Sequence, residues 1–192
     1  MSIPIDTTSI HQDPLTGLGD HSKLISDLTA ALVPGQSPTV LAVFEIVGSR
    51  DHRRAFGERA NDELIVRCAE KFKSLIEPDG VCYRPRRDEF CALIPGRIED
   101  VSATLFEVEA ELRSDEEFSL VTACFGAAAL PDEADDPTGL LMIADQRISM
   151  RIRGRELRER RHDTTRLTEP HLFESAERPS TDSQEPSLPP RS

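Results

Sequence analysis

The sequence lacks the features that would assign it to a membrane or zinc-binding class. It contains no apolar run near the roughly 20 residues needed to span a bilayer, and it does not open with a charged stretch followed by an apolar leader. Its four cysteines include no C-x-x-C pair, and no histidine stands at metal-ligand spacing, which argues against a structural zinc site. We therefore expect a soluble, cytoplasmic protein with reduced thiols and no membrane contact.

Acidic residues outnumber basic ones, with 35 Asp and Glu against 23 Lys and Arg. The formal net charge is -12 at pH 7, and the resulting long-range field repels nucleic acids and anionic membranes. The chain has 192 residues, of which 38% are hydrophobic, and this suits one domain with appendages better than a wholly globular chain. We expect a flexible arm at 1–12, one domain at 13–163 and a disordered tail at 164–192, because the end of the chain is rich in Pro, Ser, Glu and Asp.

Hydrophobic periodicity predicts alternating strands and helices. Thr39–Val47 is a short, nearly continuous apolar run, which is typical of a central strand covered on both faces. A second strand is predicted at Leu120–Ala127. The predicted helices lie at 24–32, 50–55, 64–76 and 101–112, and a last helix starts at Asp136-Pro137, which have the residue types of an N-cap and a first helical position.

The stretch Val81–Pro95 has two β-rich apolar runs on either side of a polar kink. This pattern predicts a β-hairpin that carries Asp88 and Glu89 at its tip. Adjacent carboxylates suit Mg²⁺, which takes oxygen ligands and reaches proteins through one or two carboxylates plus substrate phosphates. A charged, solvated turn without a ligand fits the same residues, so the residues alone leave both interpretations open.

The hairpin also predicts the surroundings of two cysteines. If the chain turns at Arg86-Arg87, Cys82 and Cys91 become cross-strand neighbours. In a reduced protein we expect them to pack as small hydrophobic side chains rather than to form a disulfide.

Three motifs resemble those of the GGDEF domain family, the diguanylate cyclases. The signature is matched by Arg84-x-Arg86-Arg87-Asp88-Glu89-Phe90, with arginine in place of both glycines. Asp13–Asp20 resembles the opening D-x-L-T-G-L-x-N turn, and Leu140–Asp145 resembles L-L-x-x-A-D. The resemblance covers residues 13–155. It implies a bacterial protein of cyclic di-GMP signalling with an α/β (α+β) fold, in which helices flank a mainly antiparallel central sheet as in the palm domains of nucleotidyl cyclases.

The resemblance implies an acidic centre for metal binding and catalysis. Glu45 falls on the first Asp of the family's D-x-D strand end, and with Asp88 it would hold Mg²⁺ if the ion is retained, whereas Val47 replaces the second acid. Asp88 and Glu89 would be the catalytic residues of an active enzyme. On physical grounds alone, Glu45 fits equally well as a strand-end acid that reaches water, since a buried unpaired carboxylate is costly.

The resemblance also implies a nucleotide site. Asp62 falls on a guanine-reading carboxylate, but Arg53 replaces the guanine-reading Asn and offers only donors. As an acid in a first helical turn, Asp62 would equally favour the helix dipole. Arg151 and Arg155 fall on the phosphate-contacting Lys and Arg. The R-x-x-D of the family's product-inhibition site would fall on Glu77–Gly80, where neither residue is in register, so no cyclic di-GMP site is expected there.

Arg86 and Arg87 admit two opposite interpretations. Their side chains would fill space beside the nucleotide, strain the backbone if a positive φ is kept, and neutralise the neighbouring acids. Guanidinium groups could equally grip GTP phosphates, because their fork geometry matches a phosphate.

These features predict a degenerate GGDEF protein with impaired catalysis, which acts as a regulatory or interaction module with a protein partner in cyclic di-GMP signalling and has GTP as its candidate ligand. The alternative is a low-activity diguanylate cyclase that joins two GTP molecules through Glu45, Asp88 and Glu89. A third interpretation makes the arginine-rich stretch 151–166 a nucleic-acid contact. A solvated helical extension is favoured there, because Glu156 and Arg160 form an i,i+4 pair.

Overall fold

The structure is a computed structural model that describes residues 11–113 and 121–168. Most of the predicted arm, the first residue of the second predicted strand and the tail from residue 169 lie outside the described residues. The described elements are α1 (His21–Ala31), β1 (Thr39–Val47), α2 (Ser49–Ile76), β2 (Val81–Arg86), β3 (Glu89–Pro95), α3 (Ile98–Arg113), β4 (Thr122–Leu130) and α4 (Pro137–Thr168).

The described strands form one sheet in the order β2-β3-β1-β4, and each neighbouring pair is antiparallel. β1 pairs with β3 on one side and with β4 on the other, which confirms Thr39–Val47 as a central strand. An antiparallel sheet flanked by helices confirms the predicted fold class.

Alternate residues of β1 point to opposite faces of the sheet. Phe44 lies in a core with Phe72 of α2 and Leu105 of α3. Val43 lies in a second core, on the other face, with Leu140 of α4. These five side chains are fully buried, and each such burial stabilises the fold by about 1.5–3 kcal/mol. β1 therefore holds two helical layers on one sheet.

α2 is a long helix with a kink at Gly57, whose φ of 89° and ψ of 173° are not helical. Glycine reaches this conformation without the steric penalty that a Cβ brings. The helices predicted at 50–55 and 64–76 are confirmed as the parts of α2 before and after the kink. The kink separates the turns that follow β1 from the part that carries Asp62.

α4 begins as predicted. Asp136 Oδ1 accepts a hydrogen bond from Gly139 N at 3.0 Å, and Pro137 is the first helical residue, as expected for a capped helix start. The helix continues to Thr168, so the predicted helical extension is present and passes the predicted start of the tail at 164.

The chain divides into two compact units, Met1–Leu157 and Arg158–Ser192. The whole sheet belongs to the first unit, and the described part of the second is the last stretch of α4. None of the helices in the described ranges combines the length and the hydrophobicity that crossing a membrane requires.

The opening turn covers the outer edge of β2. Gly19 N donates to Cys82 O at 3.1 Å, and Gly19 O accepts from Arg84 N at 2.7 Å. A Cβ on Gly19 would lie 2.5 Å from Cδ1 of Tyr83, which is too close for any side chain. Glycine thus allows the turn to approach an edge strand that would otherwise present unpaired backbone groups.

β2 and β3 form the predicted hairpin, with Arg87 and Asp88 as the turn residues. Glu89 is the first residue of β3 and pairs with Arg86. The register shifts between Tyr83 and Arg86, so β2 contains a bulge, which is a position that tolerates a proline within a strand.

The turn position and the bulge change the surroundings of the cysteines. Cys82 pairs with Ala92, and Cys91 pairs with Tyr83, so the two thiols lie in cores on opposite faces of the sheet. The prediction that Cys82 and Cys91 are cross-strand neighbours is wrong, because the chain turns one residue later than assumed and β2 is bulged. All four cysteines of the chain are buried and free.

Candidate functional site

The predicted acidic centre lies where β1 ends and the hairpin turns. Glu45 is the register partner of Glu89, and Ile46 N donates to Asp88 O at 2.8 Å. β4 begins at the same end of the sheet, where Thr122 pairs with Val47. The three predicted carboxylates therefore lie at one end of the sheet.

Glu45 and Glu89 lie opposite each other on adjacent strands. Glu45 is exposed, as an acid at a strand end that reaches water would be, whereas the Glu89 side chain is only 15% exposed. Burial raises the pKa of Glu89, and the Arg86 guanidinium opposes this rise. The carboxylates of Asp145 and Glu45 raise the pKa of Glu89 further, because like charges disfavour its ionised form. A cation bound near Glu45 and Glu89 would therefore stabilise the ionised form of Glu89.

Asp88 is directed towards α2. Its Oδ1 accepts a hydrogen bond from Ser49 Oγ at 2.7 Å, and the same hydroxyl lies 3.2 Å from Oδ1 of the buried Asn61. One oxygen of a predicted metal ligand thus has a donor within the protein.

The residues at this end of the sheet have the chemical groups that bind a magnesium ion, but they supply few ligands. Within residues 11–113 and 121–168, no three His, Cys, Asp or Glu side chains converge into a metal-binding group. Glu45 and Asp88 offer the carboxylate oxygens that Mg²⁺ prefers, and water and substrate phosphates would have to complete its coordination.

Each arginine at the tip is paired with a carboxylate. Arg86 Nη1 lies 3.0 Å from Glu89 Oε2, and Arg87 Nη1 lies 3.2 Å from Oε1 of Glu58 on α2. The two arginine side chains are 66% and 67% exposed, so water and salt weaken both pairs. Within the described ranges no residue other than glycine has a positive φ, so the backbone strain expected for a positive φ is absent at both arginines.

A groove of about 680 Å³ runs along α2 next to the tip. Asp62 is exposed on its wall, beside apolar surface from Leu15 and Val66. Glu58 belongs to the same wall. Arg87 therefore touches the edge of the groove through its ion pair with Glu58 and is not one of the lining residues. A carboxylate acceptor next to apolar surface suits a planar base with N–H donors. The other lining residues are Arg59, Glu63, Arg67 and Glu70.

The two arginines predicted to contact phosphate have different partners. Arg155 Nη1 donates to Thr122 Oγ1 at 2.6 Å, at the end of β4 that adjoins the acidic centre. Arg151 Nη2 lies 2.6 Å from Oε2 of Glu109 on α3. The structure thus places Arg155 at the end of the sheet that carries the site, and Arg151 one turn earlier on α4, on the same face of the helix and against α3.

The stretch that would carry a product-inhibition site joins α2 to β2. Glu77 caps the C-terminus of α2 and is exposed. Asp79 and Gly80 line a second groove, of about 350 Å³, whose lining also includes Asp27 and contains no arginine. Asp27 and Asp79 are the charged residues among those that line this groove, and the absence of a cyclic di-GMP site at this stretch stays a prediction.

Three side chains that contact the predicted site residues were not predicted from the sequence. Ser49 donates a hydrogen bond to Asp88, Glu58 forms an ion pair with Arg87, and Glu109 forms an ion pair with Arg151. The first two carry no local signal, because each partner lies in a distant segment. Glu109 does carry a signal, since it falls within the apolar stripe of α3, where a charged residue is seldom buried without a partner.

The sheet, its hairpin tip and the flanking helices define an α+β domain of the nucleotidyl-cyclase palm type. The sequence pattern of the family described as "Diguanylate cyclase, GGDEF domain" matches residues 10–154. The chain belongs to the GGDEF domain family, which confirms the resemblance stated above. A search among curated proteins gave no match.

Solved structures share the fold. The GGDEF domain of DgcB from Caulobacter crescentus, in complex with c-di-GMP, is 23% identical with a TM-score of 0.67, over 80% of this chain and 92% of that one. The FimX GGDEF domain from Pseudomonas aeruginosa is 20% identical with a TM-score of 0.65, over 72% and 91%. Diguanylate cyclase SiaD from Pseudomonas aeruginosa, in complex with its activator SiaC, is 21% identical with a TM-score of 0.68, over 77% of this chain and 60% of that one.

Proposed function

We propose that the chain is a GGDEF protein with impaired cyclase activity, which acts as a regulatory or interaction module in cyclic di-GMP signalling and has GTP as the ligand of its groove. The observation that carries this proposal is the make-up of the tip: Arg86 and Arg87 stand where the signature has glycines, and Arg86 lies against the catalytic candidate Glu89. Phosphoryl transfer depends on positioning and charge stabilisation. Two large side chains beside the acids take the space in which glycines would let a nucleotide approach the backbone, so the substrate would be misplaced for turnover.

The groove and its surroundings support GTP as the ligand. Asp62 offers an acceptor to the N–H groups of guanine. Arg155 is the phosphate-binding candidate at the sheet end, and the exposed Arg86 and Arg87 are candidates at the tip, since exposed ion pairs exchange partners at little cost. Glu45 and Asp88 would hold a Mg²⁺ ion that reaches the site with the phosphates.

A protein of cyclic di-GMP signalling is the partner that fits this role. SiaD, which shares the fold, was solved with a protein activator, and this precedent supports a protein contact for the present chain.

A low-activity cyclase is the second candidate, because Glu45 and Glu89 face each other at the tip and keep a concentrated negative charge there. In that case the Asp88→Asn substitution should abolish turnover of GTP. Turnover that survives this substitution would argue against a catalytic role for Asp88.

The test is isothermal titration of the purified protein with GTP and with cyclic di-GMP, each with and without Mg²⁺, followed by product analysis of the GTP sample. We expect binding of GTP and little or no cyclic di-GMP product. Appreciable product would overturn the impaired-enzyme proposal, and the absence of GTP binding would overturn GTP as the ligand.

A matched pair of variants locates the binding. The Asp62→Ala substitution should weaken GTP binding by roughly tenfold, the loss expected for one hydrogen bond to a charged group. Asp51→Ala removes another exposed acid of α2, before the kink and away from the lining of the groove, and should leave the affinity unchanged. Equal effects of the two substitutions would mean that only the overall charge matters.

A further inference from the structure

Glu109 is a buried carboxylate with a guanidinium on each oxygen. Its side chain is 5% exposed. Oε1 lies 2.8 Å from Nη2 of Arg113, one turn further along α3, and Oε2 lies 2.6 Å from Nη2 of Arg151 on α4. Arg113 is fixed in turn, because its Nε donates to Ala123 O at 3.0 Å. The carboxylate thus joins α3, β4 and α4.

Arg151 is also held by aromatic rings. Its Cζ lies 4.2 Å from the ring centroid of Phe125 and 5.3 Å from that of Phe106. A planar, weakly hydrated guanidinium suits such stacking. The Arg151 side chain is still 34% exposed, so an anion in solution can approach it.

The Arg151–Glu109 pair differs from the pairs at the tip. Arg86 and Arg87 are mostly exposed, and their ion pairs contribute little. Glu109 is buried, so the loss of Arg151 would leave one of its two carboxylate oxygens without a guanidinium in the protein interior. Among Arg86, Arg87 and Arg151, Arg151 is therefore the arginine that a carboxylate of the chain holds most firmly.

We propose that Glu109 is an internal competitor of phosphate for Arg151 and thereby lowers the affinity of the nucleotide site, an inference that rests on the proposed binding of GTP. Carboxylate and phosphate bind the same fork of guanidinium N–H groups. While Nη2 of Arg151 is bonded to Glu109, a phosphate finds fewer N–H donors on the guanidinium and is repelled by the nearby carboxylate charge, so its apparent affinity is lower.

The test uses Glu109→Gln, which removes the competing charge and keeps the side-chain shape. Binding of GTP and of inorganic triphosphate is measured by titration calorimetry. Both ligands should bind roughly tenfold more tightly to the variant than to the wild type, the gain expected from one charge-assisted hydrogen bond. In the double variant Glu109→Gln/Arg151→Gln the gain should disappear.

Arg113→Gln is the matched control. It disturbs the same buried carboxylate but leaves Arg151 paired with Glu109, so it should give no gain for either ligand. A gain of equal size in Arg113→Gln, a gain that survives in the double variant, or no gain in Glu109→Gln would each overturn the proposal.

Circular dichroism checks that each variant folds. If Glu109→Gln does not fold, Phe106→Ala takes its place, because Phe106 is exposed and its removal loosens Arg151 without touching the carboxylate. Triphosphate should then bind about two- to fivefold more tightly, the value of one exposed cation–π contact. An unchanged affinity for triphosphate in Phe106→Ala would overturn the proposal.

Inorganic triphosphate separates this inference from the proposed function. It has no base, so its binding reports the phosphate contacts alone. If the wild type fails to bind GTP but Glu109→Gln binds triphosphate more tightly than the wild type, GTP as the ligand is overturned and the role of Glu109 stands. If GTP binds normally and Glu109→Gln changes neither ligand, the role of Glu109 is overturned and the proposed function stands.

Discussion

Nη1 of Arg84 donates hydrogen bonds to both carboxylate oxygens of Asp13, at 3.0 and 2.9 Å. Nε and Nη2 of the same side chain donate to the carbonyl oxygen of Arg87, at 3.2 and 2.8 Å. Arg84 is buried, so its charge depends on these partners. One side chain thus fastens the opening turn of the domain to the tip of the hairpin.

The Asp13→Asn substitution should lower the free energy of unfolding by about 3 kcal/mol at neutral pH, because it leaves the Arg84 charge buried without a carboxylate. Burial raises the pKa of Asp13, but hydrogen bonds from Thr16 and Arg84 outweigh this effect and hold the pKa below its usual 3.8. The stabilisation is therefore complete above the unfolded-state value and is lost as the pH falls through the lowered pKa.

Urea denaturation at neutral pH and at pH values below 3.8 checks this prediction, since the two proteins should converge in acid. Arg86→Gln is the control, because its exposed pair should contribute less than about 1 kcal/mol. A deficit in Asp13→Asn that stays constant with pH would contradict the assignment.

Gly126→Ala should destabilise the domain by about 3 kcal/mol, because the core cannot accommodate the added atom. A Cβ at Gly126 would lie 2.1 Å from the carbonyl oxygen of Ala144, which is backbone of α4 and cannot rotate away. Gly154→Ala is the control, because Gly154 lies on α4, the helix that Gly126 contacts through Ala144. Nothing lies within 4 Å of a Cβ there, so alanine should stabilise the helix by up to about 1 kcal/mol. Thermal unfolding should show opposite shifts for the two substitutions.

Gly57→Ala should destabilise the domain by about 1–3 kcal/mol for a different reason. A Cβ at this position meets nothing within 4 Å, but the φ of 89° and ψ of 173° are unfavourable for any residue with a side chain. Because Asp62 follows the kink, GTP binding should weaken together with stability. Unfolding curves and calorimetry with GTP test both effects, and an unchanged midpoint would mean that α2 tolerates a straighter path.

The thiols should be inert in the folded protein. Burial is the main cause that raises the pKa of Cys82 to about 12, and the Glu77 carboxylate adds to it. Burial likewise raises the pKa of Cys91 well above its ordinary value. Since the thiolate is the reactive form, a disulfide reagent at mildly alkaline pH should modify the four cysteines only after the protein is unfolded. Rapid modification in the native state would show that the core opens locally.

Patterns that depend on neighbours in sequence predicted most of the fold. The apolar run of β1, the helical spacing in α2 and the cap of α4 are local features, and each was found where it was expected. The hairpin was predicted as well, but the bulge in β2 was not, because it lies after Tyr83, among Arg84-Pro85-Arg86, where there is no apolar alternation for an extra residue to interrupt.

The sequence predicted the acidic residues of the candidate site, but it did not predict the ion-pair partners of the arginines. Glu45, Asp88 and Glu89 stand in recognisable motifs, and the structure brings them to one end of the sheet. The partner of Arg151 lies 42 residues away along the chain, and that of Arg84 lies 71 residues away. Such pairs depend on how helices and turns pack together, which no single motif records.

Arg86 and Arg87 lie at the tip of the hairpin, and neither has the positive φ of the left-handed region. Arginine at positions 86 and 87 therefore imposes no positive-φ strain on the turn, and the fold does not require glycine there. Substitutions at Arg86 and Arg87 should therefore change the charge of the tip while the domain still folds. The tip is thus a surface whose charge can vary independently of the stability of the domain that carries it.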